Sequence, residues 1–103
     1  MFPPEVAGDM KWIEIITLRS TRDELLVLDF ESLIDVKENY PDGKLEKMEV
    51  YRRCTLDTDL SVHLRWNSDR ANPEGSSVAL HLMQLLKENG LLNHSIWVEE
   101  ASE

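Results

Sequence analysis

The strongest constraint on the fold is a pair of alternating segments in the middle of the chain. Residues 45–56 and residues 60–67 both alternate between apolar and polar side chains with a period of two, which is typical of strands with one buried face. The residues between them, Asp57, Thr58 and Asp59, are turn formers. The two segments therefore predict an antiparallel hairpin with one apolar face and one polar, basic face.

The register of this hairpin is predicted by matching its inner ends. Placing Leu56 opposite Leu60 brings Cys54 opposite Val62 on the apolar face. On the polar face the same register pairs Arg53 with His63, Tyr51 with Arg65, Glu49 with Asn67 and Thr55 with Ser61. A register two residues away would keep both faces and change the partners. Cys54 is predicted to be a small buried side chain.

A strand and a helix are predicted before the hairpin. Residues 11–19 (KWIEIITLR) are apolar on both parities, as in a strand covered on both faces. Thr21 is a candidate N-cap for a helix that ends at the Pro41-Asp42-Gly43 turn. Its apolar residues fall on one stripe at helical spacing: Leu26, Val27, Phe30, Leu33 and Ile34.

A second helix and a last strand follow the hairpin. Ser76 or Ser77 is the predicted N-cap of the helix, whose apolar stripe extends from Val78 to Leu86. Gly90 occupies the position after the helix, where a left-handed backbone is favoured. Residues 94–99 (HSIWVE) predict the final strand.

The order of these elements predicts an α+β fold. Strand-helix-strand-strand-helix-strand, with two right-handed crossovers, gives the ferredoxin-like plait, a four-stranded antiparallel sheet in spatial order 4-1-3-2 with two helices on one face. Residues 1–10 are predicted to be a flexible leader, residues 11–100 a single domain and residues 101–103 a polar tail. Whether Met10 is the true start stays open.

Composition excludes several classes of protein. The 103 residues carry 11 Lys and Arg against 20 Asp and Glu, a net charge of −9, which argues against nucleic-acid binding. The longest apolar run, LLVL, has four residues, whereas a membrane-spanning helix needs roughly 18–20. One cysteine and no signal-like N-terminus fit a cytoplasmic protein.

One face of the predicted sheet has no helix to cover it. Each strand that is apolar on both parities must place one parity on that face: Ile13, Ile15 and Thr17 or Trp12, Glu14, Ile16 and Leu18 from the first strand, and Ser95 and Trp97 or Ile96 and Val98 from the last. Either choice exposes apolar side chains, and a second copy of the same sheet is the simplest cover. The chain is therefore expected to be a homodimer.

At this point the sequence resembles the dimeric α/β-barrel superfamily, and within it the small proteins similar to antibiotic biosynthesis monooxygenases. The resemblance rests on the plait order over residues 11–99, the opening strand WIEIITLR, the Pro-Asp-Gly turn and the LRW run that ends in Trp66. It implies homodimers, among which are cofactor-free oxygenases of polycyclic aromatics, heme-degrading enzymes and proteins without known activity. It also implies that polar residues surround a substrate cavity.

The candidate site residues lie on the hairpin. The alternative enzyme, a cofactor-independent monooxygenase acting on an aromatic molecule, would use His63, Asn67, Trp66 and Tyr51. A ligand-binding protein would use Arg53, His63 and Arg65, with His63 neutral beside the arginines unless Glu14 or Glu49 intervenes. The same side chains would also suit a dimer interface, and Trp66 would also suit the core under a helix.

No cofactor and no metal is expected. His63, His81, His94 and Cys54 are the soft donors, and their predicted positions on different faces and elements do not converge. The negative charge lies mainly on the first helix and the two ends of the chain, whereas the free face of the sheet is mildly basic. The expected partners are therefore a second copy of the chain and a small neutral or anionic ligand, without nucleic acid or membrane.

Overall fold

A computed structural model describes residues 10–20, residue 35 and residues 44–101. Within these residues the elements are strand β1 (Met10–Ser20), strand β2 (Leu45–Arg53), strand β3 (Leu56–Ser68), helix α1 (Ser77–Leu86), a single 3₁₀ turn (Lys87–Asn89) and strand β4 (Gly90–Val98). The predicted helix that starts at Thr21 lies outside the described residues, apart from Asp35, whose backbone is helical.

The four strands form one antiparallel sheet in the order β2-β3-β1-β4, which confirms the predicted order 4-1-3-2. Strand β1 lies inside the sheet and pairs along its length with both β3 and β4. This position explains its apolar side chains on both parities, because a central strand contacts neighbours on both edges and both faces.

The predicted hairpin forms, but its register and its turn differ from the prediction. Val50 pairs with Val62 and Glu49 with His63, a shift of four residues that keeps the two faces and changes every partner. The turn lies at Cys54 and Thr55. The reason is tertiary: β3 is extended to pair with β1, and Asp59, predicted to be in the turn, pairs with Arg19.

The predicted burial of Cys54 is wrong for the same reason. Cys54 stands in the turn and its side chain is exposed, because the shifted register ends β2 at Arg53. A thiol on the exposed turn contributes little to the core.

The core lies between the sheet and α1. Its central side chains from the sheet are Ile16, Val62 and Leu64, each at most 1% exposed, and Leu82 of α1 is fully buried. Trp12 and Trp66 stack in this core with ring centroids 5.4 Å apart, which confirms the interpretation of Trp66 as a core residue.

Helix α1 begins as predicted and ends differently. The Ser76 hydroxyl accepts a hydrogen bond from the Ala79 backbone N–H at 3.0 Å, so Ser76 is the N-cap. Gly90 is extended, with φ 161°, and not left-handed. A Cβ at Gly90 would lie 2.1 Å from the Arg19 carbonyl oxygen, so glycine is required there by the close approach of β1 and β4.

Among the described residues, no helix has the length and apolar character needed to cross a bilayer.

The position of the core predicts unequal effects of two leucine substitutions on the same helix. Leu82 is fully buried and Leu80 is 50% exposed. We expect Leu82→Ala to lower the free energy of unfolding by about 2–5 kcal/mol, because it leaves a cavity, and Leu80→Ala to lower it by less than about 1 kcal/mol. Urea unfolding followed by tryptophan fluorescence measures both. Equal losses would contradict the packing of α1 described above.

Candidate functional site

The face of the sheet opposite α1 is termed the open face. The side chains on it belong to the odd-numbered residues of β1, β3 and β4 and to those of β2 after Leu45. Ile13, Ile15 and Thr17 of β1 lie on this face, and Ser95 and Trp97 of β4 lie beside them. The sequence left open which alternate side chains of β1 and β4 lie on the uncovered face. The structure shows that they are those of the odd-numbered residues. No described element covers this face, and Trp97 and Tyr51 are 59% and 44% exposed.

A cluster of polar side chains occupies the β2–β3 side of the open face. Tyr51 donates a hydrogen bond through its hydroxyl to Glu49 Oε2 at 2.5 Å, and Arg65 donates through Nε to Glu49 Oε1 at 2.5 Å. Lys47 Nζ lies 3.6 Å from the same carboxylate. The Glu49 carboxylate therefore uses both of its oxygens and holds the hydroxyl and the guanidinium in place.

These contacts determine the charge of the cluster. Hydrogen bonds from Tyr51 and Arg65 lower the pKa of Glu49 to about 2, so this carboxylate is ionised at neutral pH. The same hydrogen bond raises the pKa of Tyr51 above its usual value of 10, since the phenol proton is shared with a carboxylate. Tyr51 is thus a neutral donor and Arg65 a fixed cation.

His63 lies directly across from Glu49 in the register and beside Tyr51. Its Nε2 is 2.9 Å from the Ser61 hydroxyl, and its ring centroid is 4.8 Å from that of Tyr51. Burial lowers the pKa of His63, with Arg65 acting in the same direction and Glu49 opposing. The neutral imidazole predicted from the sequence is the favoured form, although burial has a larger effect than the arginine.

The structure brings together only part of the predicted site. Tyr51, His63 and Arg65 form one cluster, with Arg53 further along β2, where its guanidinium binds Asp59 Oδ2 at 3.1 Å. Trp66 is buried in the core on the opposite face of β3. Asn67 is four residues from His63 along β3, about 13 Å; its side-chain oxygen is buried and has no hydrogen-bond partner among the described residues.

Two concavities flank the centre of the sheet. A cavity of about 600 Å³ lies at the end where β1 and β2 finish and β4 begins, and it includes Thr17, Tyr51 and Arg53 in its lining. A second cavity of about 370 Å³ lies at the other end, beside Arg65 and Trp97. Both volumes are of the order of small-molecule sites, which span roughly 300–1,000 Å³.

Sequence reasoning missed a second polar cluster, which lies on the helix side of the sheet. Glu14 is fully buried among the core side chains. Its Oε2 accepts a hydrogen bond from the Ser76 backbone N–H at 3.1 Å and lies 2.8 Å from Nε2 of His94. Its Oε1 is buried and has no hydrogen-bond partner among the described residues.

Gly75 permits the close packing of this second cluster. Its φ is +95°, and a Cβ at this position would meet His94 Cε1 at 3.0 Å and Glu14 Oε2 at 3.6 Å. The carboxylate thus reaches the N-terminus of α1, where the helix dipole favours a negative charge. The signal available in the sequence was a glutamate at a core position of β1, together with the glycine immediately before the N-cap.

Within residues 10–20, 35 and 44–101, no three His, Cys, Asp or Glu side chains lie close enough together to bind one metal ion. Glu14 and His94 form a pair, and no third such ligand lies beside them in this part of the chain.

No family model matches the chain, and no characterised protein matches its sequence. Three solved structures align along nearly its whole length.

A proposed antibiotic biosynthesis monooxygenase from Bordetella bronchiseptica superposes with a TM-score of 0.61 and 11% identity over 91% of this chain and 99% of that one. The chain has the ferredoxin-like fold. A Shewanella oneidensis protein shares this fold with a TM-score of 0.57 and 10% identity, over 87% of this chain and 91% of its own. A conserved Bacteroides thetaiotaomicron protein of unknown function, a suggested oxidoreductase, has a TM-score of 0.55 and 10% identity, over 90% and 100% of the two chains.

The contacts of Glu49 predict a pH-dependent contribution to stability. Its folded pKa, about 2, lies below the ordinary value of 4.5, so its stabilisation is complete above pH 4.5 and is lost as the pH falls toward 2. We expect the stability difference between the wild type and Glu49→Gln to shrink over that range in urea titrations. Carboxyl ¹³C NMR should also show Glu49 ionised at pH 3.

Glu46→Gln removes one exposed carboxylate from the same strand and is the charge-matched control. A Glu49→Gln effect that equals that of Glu46→Gln at every pH, or a Glu49 carboxyl that is protonated at pH 3, would contradict the assigned hydrogen bonds.

Proposed function

We propose that this ferredoxin-like protein is a homodimer joined through its open face and that it binds a small ligand at the margin of that face. The observation that carries the proposal is the apolar surface left uncovered by the described elements. Trp97 is 59% exposed and lies opposite Ile13 in the register, and Ile13 and Ile15 are half-buried beside it. Contiguous exposed apolar side chains mark interaction surfaces in soluble proteins.

The polar part of the open face supports the same proposal. Glu49 receives hydrogen bonds from Tyr51 and Arg65 on both oxygens, so this charge cluster can enter an interface without leaving an unpaired carboxylate. Burying a charge without a partner costs several kcal/mol, whereas a hydrogen-bonded pair avoids most of that cost. Tyr and Arg are also enriched among the energetically dominant residues of interfaces.

A two-fold axis is the simplest way to cover such a surface. The open face includes four neighbouring strands, and a second copy presents the same apolar and polar groups in reverse order. The cytoplasmic location inferred from the single cysteine stays a prediction, as does the absence of nucleic-acid and membrane partners.

Dimerisation predicts a particle of twice the 11.9 kDa of the chain in light scattering across micromolar dilution. Ile15→Lys, which places a charge at the centre of the open face, is expected to shift the particle to monomer, because the buried ammonium has no partner there. Leu80→Lys is the matched control, since Leu80 lies half-exposed on α1. A monomeric wild type, or equal dissociation of both variants, would refute the proposed interface.

A second candidate function is a cofactor-independent monooxygenase acting on an aromatic small molecule. Two of the structures with the same fold carry the descriptions proposed monooxygenase and suggested oxidoreductase. The residues that favour it here are His63, whose neutral imidazole suits a general base, and Asn67, whose buried side-chain oxygen has no hydrogen-bond partner among the described residues. Tyr51 supplies a neutral hydroxyl, whereas Trp66, buried in the core, would act only by shaping the protein.

This second candidate predicts oxygen uptake by the purified protein in the presence of a polycyclic phenol. We expect His63→Ala to reduce the rate at least about a hundredfold, the lower end of what a general base contributes, and Asn67→Ala to reduce it about tenfold, as for the loss of one hydrogen bond. Arg70→Ala, an exposed loop substitution, should leave the rate unchanged. Uptake that persists in both site variants would show that these residues do not carry the activity.

A further inference from the structure

The larger of the two cavities, at the end of the sheet that carries Arg19 and Arg53, has an unusual charge for this chain. Three arginines, Arg19, Arg52 and Arg53, and one aspartate, Asp59, line it. The whole chain carries a net charge of −9, whereas the charged residues of this lining that the structure describes sum to +2. Such a local excess of cations attracts an anion against the field of the rest of the protein.

Two of the arginines converge on one carboxylate oxygen. Arg53 Nη1 lies 3.1 Å and Arg19 Nε 3.9 Å from Oδ2 of Asp59. The Asp59 side chain is only 14% exposed, whereas those of Arg19 and Arg53 are 68% and 55% exposed. A largely buried aspartate therefore orients two guanidinium groups whose other N–H donors extend toward solvent.

This arrangement prepares the arginines for an additional anion. Each guanidinium has five N–H donors, and a carboxylate matches two of them at once. Because Asp59 already holds Arg53 by a hydrogen bond, less entropy of that side chain is lost when a second anion binds. The remaining polar lining comes from neutral groups of Thr17, Ser61 and Asn93.

The rest of the cavity is apolar. Exposed Leu91 and the ring of Tyr51 supply its accessible apolar surface, and the buried Leu18 and Leu60 lie behind them. An inorganic anion would meet the arginines and leave this surface in contact with water. A ligand with an apolar body would displace that water and gain from burial. The volume of about 600 Å³ admits such a molecule.

We propose that this cavity binds a small organic carboxylate, with the carboxylate on Arg19 and Arg53 and the apolar body against Leu91 and the ring of Tyr51. The proposal specifies the class of ligand, and it rests on the proposed function, in which the open face forms the dimer interface. The arginines belong to the end of the described sheet, where Arg19 pairs with Asp59. A second copy packed on Ile13 and Ile15 therefore borders this end and leaves the arginines at the margin of the interface.

Titration of the full chain with hexanoate, followed by amide ¹H–¹⁵N NMR, tests the proposal. Saturable shifts are expected at Thr17, Arg19, Arg53 and Asn93. Hexanamide, which has the same body without the charge, and inorganic phosphate, which has charge without the body, are each expected to bind at least fivefold more weakly. Arg19→Gln and Arg53→Gln should each raise the dissociation constant for hexanoate at least fivefold.

Arg70→Gln is the matched control, because it removes the same charge from an exposed loop residue outside the cavity lining, and it should change the constant less than twofold. Thermal unfolding of each variant confirms that the fold persists. Equal binding of hexanamide, shifts confined to the cavity beside Trp97, or unchanged binding by both cavity variants would overturn the proposal. Tighter binding of phosphate than of hexanoate would contradict the assignment of an organic ligand.

Light scattering on the same samples separates this proposal from the homodimer. A monomer that binds hexanoate with the expected variant pattern would refute the dimer and support the cavity. A dimer that does not bind hexanoate would refute the carboxylate site and support the interface.

Discussion

Double pairing of β1 (Met10–Ser20) is the constraint on which the rest of the structure depends. This strand forms backbone hydrogen bonds with β3 on one edge and β4 on the other, so its register sets which side chains of three strands share a face. Ile16 and Leu18 thereby enter the core, and Ile13 and Ile15 point to the open face. A shift of one residue in this register would move the core side chains of β1 to the open face and its open-face side chains into the core.

Two polar clusters among the described residues, those of Glu49 and Glu14, illustrate two ways of placing charge on a sheet. Glu49 is balanced on the open face by Tyr51, Arg65 and Lys47, and its hydrogen bonds stabilise the ionised form. Glu14 instead lies in the core and faces the N-terminus of α1. Its second oxygen has no partner among the described residues, which is a costly arrangement in a core. The open face therefore holds the charges that solvent or a partner can reach.

The side chains of the hairpin lie on the predicted faces, although its register differs from the prediction by four residues. A period-two pattern specifies which side chains share a face, but it repeats every two residues and so does not choose among even shifts. The turn at Cys54 is selected because β3 must remain extended to Asp59 to pair with Arg19. Gly90 shows the same limit: glycine was expected for a left-handed backbone, and the approach of the Arg19 carbonyl is what requires it.

The sequence by itself determined the order of the strands and of the helix after the hairpin, the sheet order, the apolar face of the hairpin and, to within one residue, the N-cap of that helix, because periodicity and capping act over a few neighbouring residues. The same local patterns indicated His63, Tyr51 and Arg65 as one polar face. Only the tertiary structure decided that Glu49 orders this face, that Trp66 stacks on Trp12, and that Glu14 meets His94. These contacts join residues distant in the chain, and their geometry depends on the pairing of β1 with both of its neighbours.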